Sequence, residues 1–245
     1  MFVYFIRHAQ SANNLLYERT HGDEGRDPDP ELTDYGRRQL DFVARFFAED
    51  AGPPPATRDA RIRDVGGVRL THLYTSPMVR AMDTAAAIAG ATGLRPVVWP
   101  DLHEEGGVWT RDPDTGERIG LPGPDRAFFE ARYPHFVLPE GFAVGGWWNR
   151  PVEEAAECFA RARRVLQTLQ TRHGGTDDRV ALVSHGAFYN AFLSALLKRP
   201  FRDGVWFGIN NVAVTRVDFR TGEEWDGVML AYHNRLDFLP PELVT

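Results

Sequence analysis

Short apolar runs and helical stripes alternate along this chain. Phe2–Ile6 is an unbroken apolar, β-branched and aromatic run, the pattern of a strand buried on both faces. Leu70–Tyr74, Pro96–Trp99 and Val180–Val183 repeat it. Helical patterns separate these runs. Thr33 is placed to cap a helix reaching about Glu49, with Leu40, Val43 and Phe47 on one face. Ser76-Pro77 reads as an N-cap followed by proline at the first helical position, opening a helix to Ala91 that Gly93 stops. Over Val152–Thr171, Ala155, Phe159, Ala162, Leu166 and Leu169 keep helical step, and an apolar helix follows Ser184-His185-Gly186 to about Leu197. Val212–Phe219 and Val228–His233 read as closing strands joined by a turn at Thr221-Gly222. His21–Pro30, rich in Gly, Asp and Pro, and Ala51–Gly67, with Pro53-Pro54-Pro55, predict loops.

Strands alternating with helices predict an α/β fold, a three-layer sandwich whose mostly parallel central sheet is flanked by helices. The final hairpin adds antiparallel pairing. The stretch 105–150 breaks the rhythm. It is rich in Gly, Pro, Trp and Phe, with one short helix near Asp125–Arg132, and reads as a loop-rich insertion or cap inside a single domain spanning 1–245. Trp109, Phe128, Phe129, Phe136, Phe142, Trp147 and Trp148 are expected mostly to pack that segment onto the sheet.

Composition narrows the function classes. A hydrophobic share of 43% supports a large core, and a net charge of -6 offers no basic face for nucleic acid. The single cysteine, Cys158, excludes an internal disulfide and falls in a helical pattern, where burial is expected. No apolar run has the length of a membrane span or the flanks of a signal peptide, so no membrane partner and a cytoplasmic location are expected.

In open α/β sheets, ligands bind beyond the carboxyl ends of the strands. Arg7-His8 follows the first predicted strand and Arg80 lies one turn into the helix after the second. Glu104 and Glu105 follow the third, and His185-Gly186 the fourth. Two histidines, two arginines and a carboxylate on one rim suit phosphoryl chemistry. Guanidinium groups bind phosphate oxygens by charge-assisted, bidentate hydrogen bonds. A second histidine, if protonated, and the backbone N–H groups opening the helix after His185 can add positive potential. A nucleophilic imidazole must be neutral, with its other nitrogen held as N–H by an acceptor such as a backbone carbonyl. A carboxylic acid can protonate the leaving oxygen, and a nearby phosphate dianion raises its pKa by like charge. This scheme needs no cofactor.

Arg7-His8-Ala9-Gln10-Ser11 with Asn14 resembles the signature of the histidine phosphatase superfamily, which includes phosphoglycerate mutases and small-molecule phosphatases. The resemblance continues through Thr75-Ser76-Pro77 with Arg80 and Thr84, Leu102-His103-Glu104, and Val183-Ser184-His185-Gly186, in the family's order, and covers Phe2 to about Phe219. It implies that His8 becomes phosphorylated, that Arg7, Arg80 and His185 complete the phosphate pocket, that Asn14 contacts phosphoryl oxygens, and that Glu104 donates the proton. Block spacing favours Glu104 over Glu105. Gln10 stands where many members have Glu or Gln. Ala9 departs from the usual glycine, which would permit positive φ or close backbone approach.

The expected activity is hydrolysis of small phosphorylated metabolites without a metal. Two alternatives stay open. One is a mutase, disfavoured by the lack of an arginine-rich segment after the acid block. The other is a catalytically weak member that binds a phosphorylated ligand or a protein. His21, His72, His103, His135, His173 and His233 read as structural or exposed. His72 and His103 make no recognised metal spacing, and no metal is expected. Arg111, Arg118 and Arg126 read as surface charges that could meet a second anionic group. A homodimer, through an exposed sheet edge or the aromatic insert, is an open alternative, and the substrate is not legible.

Overall fold

Strand β1 (Phe2–Arg7) alternates its side chains between two cores, and this organises the molecule. Tyr4 and Ile6 join a cluster with Val43, Phe47, Ala81, Met82 and Ile88, on the side of helices α2 (Asp34–Ala48) and α4 (Val79–Thr92). Val3 and Phe5 join a second cluster with Ala162, Val165, Leu169 and Phe192, on the side of α6 (Ala155–His173) and α7 (Gly186–Leu196). A strand covered on both faces needs apolar residues throughout, so the run is continuous rather than alternating. The structure, a computed structural model, describes residues 1–48, 57–64, 67–142, 145–220 and 226–245. Glu49, the triple proline and the turn at Thr221-Gly222 lie outside these residues.

Beside β1 stand β6 (Arg179–Ser184), then β2 (His72–Thr75) and the short β3 (Val97–Val98), all parallel to it. On its other flank β7 (Val214–Arg220) runs antiparallel, followed by β8 (Gly227–Arg235) as the edge strand. The sheet is therefore mostly parallel with helices on both faces, the three-layer α/β architecture expected from the sequence. No described helix is long and apolar enough to cross a membrane.

Several local expectations shift. Thr33 does cap α2, its Oγ1 accepting from the N–H of Gly36 at 3.0 Å. Gly36 is required there, because a Cβ would meet the Gln10 carbonyl oxygen at 2.1 Å. Ser76-Pro77 does not open α4. The N-cap is Met78, and Ser76 instead forms a turn, its Oγ accepting from the Met78 N–H at 3.2 Å. Gly93 ends α4 in the left-handed conformation, φ 70°, as expected of a C-cap glycine. The buried stripe of α6 runs through Cys158, Arg161, Ala162, Val165, Leu166 and Leu169, so Phe159 lies beside it rather than on it. Helices α1 (Ala12–Thr20) and α3 (Arg58–Ile62) form where no helix was expected.

The segment 105–150 contains a small hairpin, β4 (Trp109–Arg111) with β5 (Arg118–Gly120), and helix α5 (Arg126–Arg132). Phe129, Tyr133, Phe136 and Phe142 join the α2/α4 core. Val137 exchanges backbone hydrogen bonds with Pro96 and Val98, covering the β3 edge. The aromatic residues mainly anchor the segment, as anticipated.

Candidate active site

The carboxyl ends of β1, β2 and β6 converge on a cleft of about 190 Å³ lined by Arg7, His8, Asn14, Arg26, Arg80 and Glu104, among others. His8 is buried directly after β1. Its Nδ1 lies 2.7 Å from the Ala9 carbonyl oxygen, and Arg80 Nε donates to its Nε2 at 3.1 Å. The carbonyl can only accept, so Nδ1 carries the proton and Nε2 presents a lone pair. Burial, then Arg80 and Arg7, hold the His8 pKa well below the ordinary imidazole value, which keeps the ring neutral.

Arg7 gives one guanidinium N–H to the Ile209 carbonyl at 2.6 Å, while its buried Nε has no partner among the described residues. Burial draws its pKa down to about 10, still protonated near neutrality. Arg80, on the first turn of α4, is 7% exposed and also reaches Asp29 Oδ1 at 3.3 Å. His185 stands 5.0 Å from His8 between ring centroids; its Nε2 meets Ser76 Oγ at 2.8 Å and its buried Nδ1 has no partner among the described residues. Burial and Arg80 push its pKa well below the ordinary value, so the His185 ring is held neutral rather than as a standing cation. Buried polar atoms left unpaired cost about 1–3 kcal/mol each, and one on the Arg7 guanidinium and one on the His185 ring, with Arg80 close by, point to an anionic ligand.

Glu104 follows the short helical turn after β3. Its Oε1 accepts from the N–H groups of Glu105 and Phe188, and Oε2 from Ala187 at 3.2 Å. The Ala187 and Phe188 donors, expected to serve phosphate, are thus taken by Glu104. Oε2, with a single long bond, is the oxygen left with a free acceptor position. Glu105 turns away to Arg202 at 2.6 Å. Gly186 sits against Arg7; a Cβ there would lie 3.6 Å from Arg7 Nε.

Asn14 lines the cleft, but its Oδ1 is engaged by Ser11 and by Asn211. Its amide NH₂ is the group left for a ligand. Gln10 is turned into the protein, accepting from Thr33 Oγ1 at 2.6 Å. Ala9 does not adopt positive φ, and its N–H donates to Thr84 Oγ1 at 3.0 Å, so the residue makes no demand that only glycine could meet. Arg111, Arg118 and Arg126 pair with Asp23, Glu154 and Glu130.

Three further residues belong to the site. Arg26 lines the cleft with its guanidinium stacked 3.6 Å over Trp109. Asp29 pairs with Arg80 and accepts from the Val79 N–H, and burial pushes its carboxyl up to about 7. Asn211 donates to the His8 carbonyl at 2.8 Å. Arg26 and Asp29 come from the His21–Pro30 loop, whose composition signals only a loop.

A profile of the histidine phosphatase superfamily (branch 1) matches residues 59–231. The chain belongs to that superfamily. Over 223 residues it is 27% identical to a probable phosphoglycerate mutase GpmB of Yersinia enterocolitica, covering 89% of this chain and 85% of that one. A mycobacterial glucosyl-3-phosphoglycerate phosphatase complexed with VO3 superposes with a TM-score of 0.59 at 21% identity, covering 95% of this chain and 98% of that one. A phosphoserine phosphatase from Entamoeba histolytica in complex with phosphoserine gives 0.56 at 20%, covering 98% and 99%. At these identities the solved structures bear on the fold alone.

Proposed function

We propose that this superfamily member is a metal-independent phosphomonoester hydrolase of small phosphorylated metabolites, acting through a phosphohistidine on His8. The observation that carries the reading is the His8 Nε2 lone pair beside two buried, unpartnered nitrogens, Arg7 Nε and His185 Nδ1. The phosphoryl oxygens take hydrogen bonds from Arg7, Arg80 and the Asn14 amide, and Arg80 Nε exchanges its bond to His8 for one to phosphate. A phosphate dianion beside His185 raises its pKa, so the ring gains a proton as the ligand binds.

His8 Nε2 then attacks phosphorus as the ester P–O bond breaks, and the leaving oxygen takes a proton from Glu104. Water next attacks phosphorus, gives its proton to Glu104, and the N–P bond breaks, returning its electron pair to His8. The position of Arg7, Arg80 and His185 around the oxygens supplies the positive charge that the transition state needs. The small cleft favours a compact substrate, and segment 105–150 with the His21–Pro30 loop serves as its cap.

The name of the GpmB relatives favours a second reading, phosphoryl transfer back to a substrate oxygen. The test is hydrolysis of p-nitrophenyl phosphate in the presence of a chelator, comparing the wild type with His8→Ala. Turnover that vanishes in the variant supports the hydrolase. Turnover that survives removes His8 as nucleophile. No turnover in either, with phosphoglycerate mutase activity present, selects the mutase.

A further inference from the structure

At the amino end of the sheet, opposite the cleft, His72, His173 and Asp178 bring one ligating atom each within 4.8 Å of one another. They come from three elements. His72 opens β2, His173 ends α6, and Asp178 precedes β6, the strand paired with β2. The rings of His72 and His173 meet edge to face at 4.5 Å between centroids. Both present Nδ1 to the same carboxylate, His173 at 2.8 Å from Oδ2 and His72 at 4.0 Å from Oδ1.

The other nitrogen of His173 is also engaged. Its Nε2 lies 3.1 Å from the buried Tyr74 hydroxyl. With Nε2–H donating to that hydroxyl, Nδ1 becomes a ligating lone pair, and a metal ion takes the place of the proton that otherwise joins Nδ1 to the Asp178 carboxylate. A metal-bound histidine characteristically has its far nitrogen donating to such an acceptor. His72 Nδ1 is 2.8 Å from Thr71 Oγ1, and that hydroxyl has a second acceptor in the Arg179 carbonyl at 3.3 Å, so it can turn away. Two imidazoles and a carboxylate suit zinc and its neighbours, which take bonds of about 2.0–2.1 Å and tolerate a water as fourth ligand. Ligand atoms in such a tetrahedron stand about 3.3 Å apart, so the site forms as the half-exposed His72 moves inward from 4.0 Å and His173 Nδ1 and Asp178 Oδ2 part slightly from 2.8 Å.

We propose that His72, His173 and Asp178 form a divalent transition-metal site of the zinc class, one that fastens the end of α6 to the starts of β2 and β6. Its role is structural, because the ion lies at the opposite end of the sheet from His8. The ion adds a tie between the two parallel strands where no hairpin joins them.

The test uses the full chain without a histidine tag, stripped by chelator, with Zn²⁺ titrated by calorimetry and Co²⁺ followed by its visible d–d bands. The expected result is one ion per chain, a raised Tm, and His8→Ala binding as the wild type does. His72→Gln and Tyr74→Phe should each weaken binding by about 10-fold or more. If His72→Gln fails to fold by circular dichroism, Asp178→Asn replaces it. Absence of saturable binding overturns the proposal. So does binding that persists in His72→Gln (or in its replacement) or disappears in His8→Ala, which would put the ion in the phosphate cleft.

Discussion

Two buried clusters hang from strand β1, and both contain arginine. In the first, Arg216, opposite Tyr4 across the β1–β7 pair, donates to Asp218 at 2.7 and 3.0 Å, to Asp64 at 2.7 Å and to the Arg61 carbonyl. Tyr4 and Tyr232 complete Asp64. Each nitrogen of Arg216 has a partner. In the second, around His8, Arg7 Nε and His185 Nδ1 have none among the described residues. The same residue types are used for opposite ends. A charge cluster closed on itself holds the fold; one left incomplete around a neutral imidazole is prepared for a ligand that completes it.

The contrast can be broken from either side. The largest effect belongs to His8→Ala, expected to lower kcat by roughly 10⁴-fold or more while the urea midpoint hardly moves. Loss of fold together with activity would make His8 a structural residue instead. Next comes Arg216→Met, which strands Asp64 and Asp218 in the interior. Unfolding in urea should show a loss of about 3–5 kcal/mol, with KM of the folded protein unchanged. A change in KM would mean that the two clusters are coupled. Arg80→Ala should lower kcat/KM by about 10²–10³-fold and abolish the rise in Tm that vanadate gives the wild type, read by thermal unfolding with and without the anion.

The smallest effect concerns pH. The Asp29 carboxyl is raised by burial to about 7, with Arg80 opposing the shift. Because its folded pKa lies above the ordinary value, protonation favours the folded state. That contribution is complete below the unfolded carboxylate range and is lost as pH rises through about 7. Below that point Asp29 is neutral and releases Arg80 to phosphate. The wild type should therefore lose kcat/KM severalfold relative to Asp29→Asn as pH climbs from 6 to 8, by about one pK unit's worth of binding. Parallel profiles for the two proteins would remove Asp29 from the pH response.

The legible parts of this molecule are those whose pattern reports burial on a regular element. Phe2–Ile6 and Val180–Val183 were readable because a strand covered on both faces must be apolar throughout, and the residues following them fall at the cleft by topology alone. Helix α1 was not readable because it buries no residue and so has no stripe; its one signal is the Ser11–Asn14 capping box. The Ser76-Pro77 pair misled for a related reason. Ser76 is held by His185 and by its own turn, a tertiary demand that overrides a local preference. Arg26 and Asp29 reach the cleft from a loop whose path is set by contacts to Trp109 and Val79, and composition contains no trace of those contacts. The His72, His173 and Asp178 cluster is scattered over about a hundred positions of chain, and only the β2–β6 pairing brings it together.

The double duty of β1 has a consequence on the timescale of descent. Its side chains fill both cores and its last residue leads directly into His8, so the proposed nucleophile cannot drift unless the cores are rebuilt around it. The wall opposite is joined by exposed contacts such as Arg111 with Asp23 and Arg132 with Glu31, which can be exchanged one at a time at little cost in stability. Solved structures only 20 and 21% identical to this chain share its architecture.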